Sequence, residues 1–152
     1  MRRRMFVALV TPLILVNGLA PAALADESRQ YFDAATAADS EALPYSGAVL
    51  AGDTLYLAGR IGLEADDSVP ETAAEEAKLV LDDMKAALEK AGMTMDDLVF
   101  VQVFCSDVAH YAEFNRVYRT YFTGEFPARA FLGAGTLLFD ARFEVQGIAV
   151  RR

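Results

Sequence analysis

The chain has 152 residues, 54% of them hydrophobic and 24% charged, enough to build one core and not two. It carries 14 Lys and Arg against 22 Asp and Glu, a net charge of −8 with no clustered basic stripe. That argues against nucleic acid as a partner, because such binding draws on phosphate neutralisation. One cysteine, Cys105, and one histidine, His110, cannot form an internal disulfide or a Cys/His zinc site, and no Asp-x-Asp-x-Asp-Gly calcium loop occurs.

In chain order, Arg2, Arg3 and Arg4 precede an apolar run, Met5–Val16, and Ala23-Leu24-Ala25 supplies the small-x-small pattern of a signal-peptidase site. Residues 1–25 are therefore expected to be a signal peptide cleaved after Ala25. Pro12, Asn17 and Gly18 interrupt the run, which falls short of the roughly 20 apolar residues that span a bilayer. Cleavage leaves 152 − 25 = 127 residues with charge 11 − 22 = −11, a periplasmic or secreted protein with no membrane association in its mature form. Residues 26–43 form a polar lead-in with Tyr31-Phe32 as its bulky apolar pair and room for one short strand. The domain proper is expected over 44–152.

Two β-prone runs, Ala48-Val-Leu-Ala and Thr54-Leu-Tyr-Leu-Ala, are split by Gly52-Asp53 and predict a hairpin. Thr72 and Glu75 make a capping-box pattern, and apolar residues then recur at helical spacing up to Gly92, which predicts a helix from about Glu71 to Ala91. Leu98–Cys105 is a nearly continuous apolar run and reads as a buried strand. Asp107 can cap a second helix bearing Tyr111, Phe114, Tyr118, Tyr121 and Phe122, ending near Gly124. Ala128–Gly133 and Arg142–Val150 complete the order ββ-α-β-α-β-β. The fold class is α+β, with two helices on one face of a mixed sheet. Two helices cover only one face, yet Leu98–Cys105 is apolar on both, so the other face needs a cover. A homo-oligomer supplies it most simply.

Familiar catalytic signatures are missing. There is no Gly-x-Ser-x-Gly or phosphate loop, and Gly133-Ala-Gly135 lacks the third glycine of a dinucleotide fingerprint. A Cys105–His110 nucleophile pair is disfavoured, since a buried strand thiol and a histidine at a helix start are ordinary structural residues. Two charges sit where strands favour apolar groups. Glu144, with Gln146, alternates onto the face of Ile148 and Val150, where partial burial would suit a carboxylate to proton transfer; a solvated rim position is the competing reading. Arg129 opens a strand after Pro127-Ala128, where a fixed guanidinium would hold a carboxylate bidentately or merely pair with a surface acid.

Pro127-Ala128-Arg129, the Phe114-Asn115-x-Val-Tyr118-x-x-Tyr-Phe122 helix, Ala91-Gly92-Met, Leu57-Ala58-Gly59 and the terminal Phe-Glu144-Val…Ile-Ala-Val occur in one order and spacing. Together they resemble the RidA/YjgF reactive-intermediate (enamine/imine) deaminase family over roughly Leu43 to Arg152. The resemblance implies a chorismate-mutase-like α+β fold and a homotrimer whose sheets form a central barrel, with sites in the clefts between subunits. It implies hydrolysis of a 2-imino or enamino acid to a 2-keto acid and ammonia. Arg129 would grip the substrate carboxylate, Glu144 would position the attacking water, and Tyr45 and Asn115 would line the site, with no metal and no organic cofactor. Three positions depart from the family pattern: Ala58 stands for a serine, Phe131 for a small or thiol residue, and Arg60 for a glutamine. A non-catalytic module that holds small keto or amino acids in the same arginine cleft is the alternative.

Overall fold

A computed structural model describes residues 29–33, 41 and 43–152. The expected signal peptide and most of the lead-in lie outside the described residues. Six strands form one sheet: β1 Gln30–Phe32, β2 Ala48–Ala51, β3 Thr54–Ile61, β4 Leu98–Cys105, β5 Ala128–Gly133 and β6 Phe143–Val150, in the spatial order β1-β2-β3-β6-β4-β5. All neighbours are antiparallel except β4 and β5, which run parallel and are joined by a helical crossover.

The hairpin forms where the sequence predicts it, with Gly52 at φ 58° in the two-residue connection. Helix α1, Ala73–Lys90, begins on the anticipated capping box: the Thr72 hydroxyl accepts from Glu75 N–H while the Glu75 carboxylate accepts from Thr72 N–H at 3.0 Å. It ends where Gly92 enters the left-handed region, φ 70°. There Gly92 N–H reaches Glu89 O and Met93 N–H reaches Leu88 O, both at 2.9 Å, closing the last turn.

The second helix is shorter than the apolar spacing predicts. Helix α2 spans Tyr111–Tyr118, between 3-10 turns at Val108–His110 and Arg119–Tyr121. Asp107 does cap, but its carboxylate accepts from Ala109 N–H, only two residues on, and so favours the tighter turn. At the far end the Tyr121 hydroxyl donates to Asp82 on α1, and Thr123 is tied to Asp96, so the chain leaves helical geometry before Gly124.

Burial alternates along the central strands as one covered face requires. Leu55, Leu57, Val101, Val103, Phe143 and Val145 point under α1 and α2 and join Val80, Leu81, Met84, Leu88 and Phe114 in one core. The opposite face carries Tyr56, Phe100, Phe104, Glu144, Gln146 and Ile148. Tyr56 is 50% exposed there, so no described residue covers this partly apolar surface.

Glu76 ties the layers together. It is a helix glutamate with no solvent exposure, and its Oε1 accepts from the backbone N–H groups of Arg142 at 2.5 Å and Phe143 at 2.8 Å. Its Oε2 meets the Arg142 guanidinium at 2.8 Å. Arg142 is satisfied further by the carbonyls of Pro70 and Glu71. A buried anion thus fixes the start of β6, two residues before Glu144.

Candidate active site

Arg129 lies on edge strand β5, paired with Val101 in the parallel ladder, and so points to the helix-covered side. Its Nη2 donates to Asn115 Oδ1 at 2.6 Å. Asn115 sits one turn before Tyr118 on α2, which puts both beside the guanidinium. Four rings surround the cation: its central carbon is 4.5 Å from the centroid of Tyr118 and 5.8–5.9 Å from those of Tyr111, Phe114 and Phe131. Among the described residues Arg129 forms no ion pair, and its partner there is Asn115. Its Nη1 is buried and has no partner among the described residues. The guanidinium is therefore held in place with one donor edge unspent, beside a cavity of about 190 Å³ lined by Tyr111, Asn115, Tyr118, Arg119, Phe126 and Pro127. That is the arrangement expected of an anchor for a small anion.

Glu144 lies across the sheet. It pairs with Phe104 and Ile61, and by alternation faces the open side with Gln146, whose Nε2 donates to Gln102 Oε1 at 3.1 Å. The carboxylate rests over Gly59: a Cβ built on that glycine would stand 2.0 Å from Glu144 Oε1. Gly59 sits within the irregularity of β3 between Leu57 and Arg60, where the strand bends toward β6. A side chain at 59 would evict the carboxylate, a requirement that sequence reasoning did not assign to this glycine.

A second cavity, of about 400 Å³, gathers Tyr45, Ala58, Gly59, Arg60, Ile61 and Asp83 around this bend. Tyr45 and Ala58 thus share one hollow, which Gly59 links to the Glu144 carboxylate. Arg60 is committed elsewhere: it pairs with Asp83 at 2.5 Å and donates to Gly47 O at 3.2 Å, bracing β3 against α1 and the hairpin. Phe131 does not line the cavity beside Arg129. It packs edge-on against Tyr111, with centroids 5.0 Å apart, and against Phe114, and so props the guanidinium from the core side.

The predicted site residues therefore fall into two groups, Arg129 with Asn115 and Phe131, and Glu144 with Tyr45 and Ala58. Three residues along the strand and two strands across separate Arg129 from Glu144, about 10 Å each way, and the two point to opposite faces. A molecule of a few carbons cannot touch both in one chain. Cys105 and His110 play no part in either group. The thiol hydrogen bonds to Asp107 O at 3.0 Å, and burial pushes its ionisation up, which makes it a poor nucleophile. No cluster of His, Cys, Asp and Glu able to hold a metal occurs among the described residues.

A mixed sheet with two helices on one face is the fold of the YjgF-like class of small α+β proteins. The family model described as Endoribonuclease L-PSP matches residues 35–151. A rat protein named 2-iminobutanoate/2-iminopropanoate deaminase is 37% identical over 109 residues, covering 70% of this chain and 80% of the relative. The crystal structure of the Escherichia coli YjgF gene product superposes with a TM-score of 0.68 at 34% identity, over 72% of this chain and 89% of that one. Escherichia coli TdcF with bound serine superposes with a TM-score of 0.69 at 28% identity, over 73% and 91%. The chain belongs to this family, whose named relatives include imino-acid deaminases.

Proposed function

We propose that this protein hydrolyses 2-imino acids to 2-keto acids and ammonia, in a cleft formed when the Arg129 side of one copy meets the Glu144 side of another. One observation carries the proposal: a guanidinium gripped by Asn115 and four aromatic rings, without a counter-ion among the described residues and with Nη1 unspent. A fixed cation of this kind suits the carboxylate end of a small substrate. The names of the relatives supply the reaction class.

In the reaction, Arg129 holds the carboxylate and leaves the adjacent C=N carbon facing the partner copy. Glu144 from that copy orients a water molecule and takes one proton as the water oxygen bonds to the imine carbon and the C=N π pair moves to nitrogen. The proton then passes to nitrogen to give the carbinolamine; Glu144 next takes the hydroxyl proton and returns it to the amino nitrogen as the C–N bond breaks, so that ammonia leaves and the carbonyl forms. Imine plus water gives keto acid plus ammonia, with no redox change and no cofactor. The protein supplies orientation and one proton acceptor. A homotrimer, its open sheet faces turned inward, brings the two half-sites together and covers Tyr56 and its neighbours in one arrangement. Export after removal of residues 1–25 places this activity outside the cytoplasm, where an amino-acid oxidase or dehydrogenase would have to supply the imine. The acidic charge weighs against a ribonuclease activity for this chain.

The test generates 2-imino acids in situ with an L-amino-acid oxidase and follows their loss with a trapping reagent. The protein should accelerate that loss catalytically. Arg129→Ala should lower the rate about 10²-fold or more, since a charged contact in a dry cleft contributes several kcal/mol. Glu144→Gln should leave 2-oxobutanoate binding intact while turnover falls about 10²–10⁴-fold. If no imine is consumed faster, yet 2-oxobutanoate raises the melting temperature in an Arg129-dependent way, the protein is a binding module. If neither variant changes binding or turnover, the site is elsewhere.

A further inference from the structure

A second unspent donor belongs to a residue that lines the cavity beside Arg129. Tyr118 is 4% exposed and its hydroxyl has no partner among the described residues. Its ring stacks on Phe114, with centroids 5.7 Å apart, lies against Phe122 at 4.7 Å, and faces the Arg129 guanidinium at 4.5 Å. A phenylalanine would make every one of these contacts. The hydroxyl adds nothing to the packing, and leaving it buried and unpaired is destabilising. The fold alone gives no reason for it.

The partner it lacks can be deduced. Tyr118 and Arg129 line the same cavity of about 190 Å³, and each carries one buried polar atom without a partner among the described residues, Oη and Nη1. Burial pushes the phenol up to about 12, against the opposing Arg129 charge, so it remains an O–H donor across the physiological range. A charged donor and a neutral donor with no acceptor between them call for an anion with more than one oxygen. The small cavity restricts it to a compact group, and an amide or ester would leave the Arg129 charge uncompensated.

We propose that Tyr118 is a specificity-determining residue whose hydroxyl donates to the substrate carboxylate alongside Arg129 Nη1, so that the site selects a free carboxylate over its amide. This rests on the reading of Arg129 as the carboxylate anchor and adds a residue to it. Because Tyr118 holds the anion equally before and during reaction, its loss raises KM and spares kcat.

The experiment measures 2-oxobutanoate and 2-oxobutanamide binding by titration calorimetry on the assembled protein, with Tyr118→Phe and Arg129→Ala as variants. Tyr118→Phe should weaken 2-oxobutanoate binding about 10-fold, as expected for a hydrogen bond to a charged group, and leave the weak binding of the amide unchanged. In the imine assay its KM should rise by a similar factor with kcat within twofold of wild type. Unchanged 2-oxobutanoate binding in Tyr118→Phe, with binding abolished in Arg129→Ala, would overturn the Tyr118 assignment and leave the anchor standing. No effect of either variant would overturn both. Dissociation of Tyr118→Phe into smaller species by light scattering would show the hydroxyl to be an assembly contact and would also overturn the proposal. Should the variant fail to fold, wild-type protein labelled with ¹³Cζ-tyrosine decides: 2-oxobutanoate must shift the Tyr118 resonance, and an unshifted resonance under saturation refutes the contact.

Discussion

Replacing Glu76 separates the support of the candidate site from the site itself. Glu76→Ala would leave two buried backbone donors, Arg142 N–H and Phe143 N–H, without their acceptor, and the Arg142 guanidinium without its anion. Breaking a buried pair by removing one partner costs roughly 3–5 kcal/mol, because the remaining groups stay desolvated and unpaired. Two orphaned backbone N–H groups, at about 1–3 kcal/mol each, place the variant toward the upper end of that range, less whatever water can enter. Glu76→Gln keeps one oxygen for both N–H groups but turns an amide donor toward the guanidinium, so it should cost about half as much. Urea unfolding at neutral pH would measure both. The first residues of β6 should loosen as well, and hydrogen exchange at Arg142 and Phe143 should accelerate more than exchange in β2 or β3. A loss below about 1 kcal/mol in Glu76→Ala would mean that the anion's attraction barely exceeds its desolvation penalty, and the account of β6 anchoring would fall.

The elements were legible in the sequence to the extent that local signals decide them. Thr72 with Glu75, and Gly92 after Ala91, mark both ends of α1 because capping satisfies backbone groups within a few residues. The two-faced apolar pattern of Leu98–Cys105 likewise announces a face that one chain leaves uncovered. The second helix was overextended because Tyr121 and Phe122 keep its apolar spacing. What stops the helix is nonlocal: Asp82 and Asp96, from other segments, capture Tyr121 and Thr123. Glu76 was invisible for the same reason. In sequence it is one of two glutamates in the first turn of an amphipathic helix, and only the approach of Arg142, 66 residues later, makes it a buried anchor. At the site, Arg129 and Glu144 stand out as charges in strands, and motif spacing associates them. The division onto opposite faces emerges only from the register of β5 on β4 and of β6 on β4, and it is what makes a second copy chemically necessary for the proposed reaction.

Intact-mass measurement on protein recovered from outside the cytoplasm should give a chain beginning at Asp26, and light scattering should give about three times the mature subunit mass. A full-length cytosolic chain contradicts the first expectation, and a stable monomer at micromolar concentration the second. Tyr118 makes stability depend on alkaline pH, with a definite sign. Its folded-state value, about 12, lies above the unfolded value near 10, so the stabilisation is complete below pH 10 and is lost as pH rises toward 12. Wild type should therefore lose more stability than Tyr118→Phe across the window, on the order of a few kcal/mol; parallel curves would show an unperturbed phenol. Gly59→Ala addresses the half-site across the sheet. The new methyl would stand 2.0 Å from Glu144 Oε1 and 3.0 Å from its carboxyl carbon, well inside contact distance, so the carboxylate must swing away by more than an ångström. Because the displaced group is the half-buried end of a flexible side chain and not backbone, stability should change by about 1 kcal/mol or less. Catalysis is less forgiving: a misplacement of about 1 Å can lower a rate about 10²-fold, while the carboxylate is held by Arg129 of the adjoining copy and not by Glu144. The expected outcome is a variant that binds 2-oxobutanoate within twofold of wild type and turns over imines about 10²-fold more slowly. Undiminished turnover would show that Glu144 does not work from its place over Gly59, and loss of binding together with turnover would show that the two half-sites are not the independent units their placement implies.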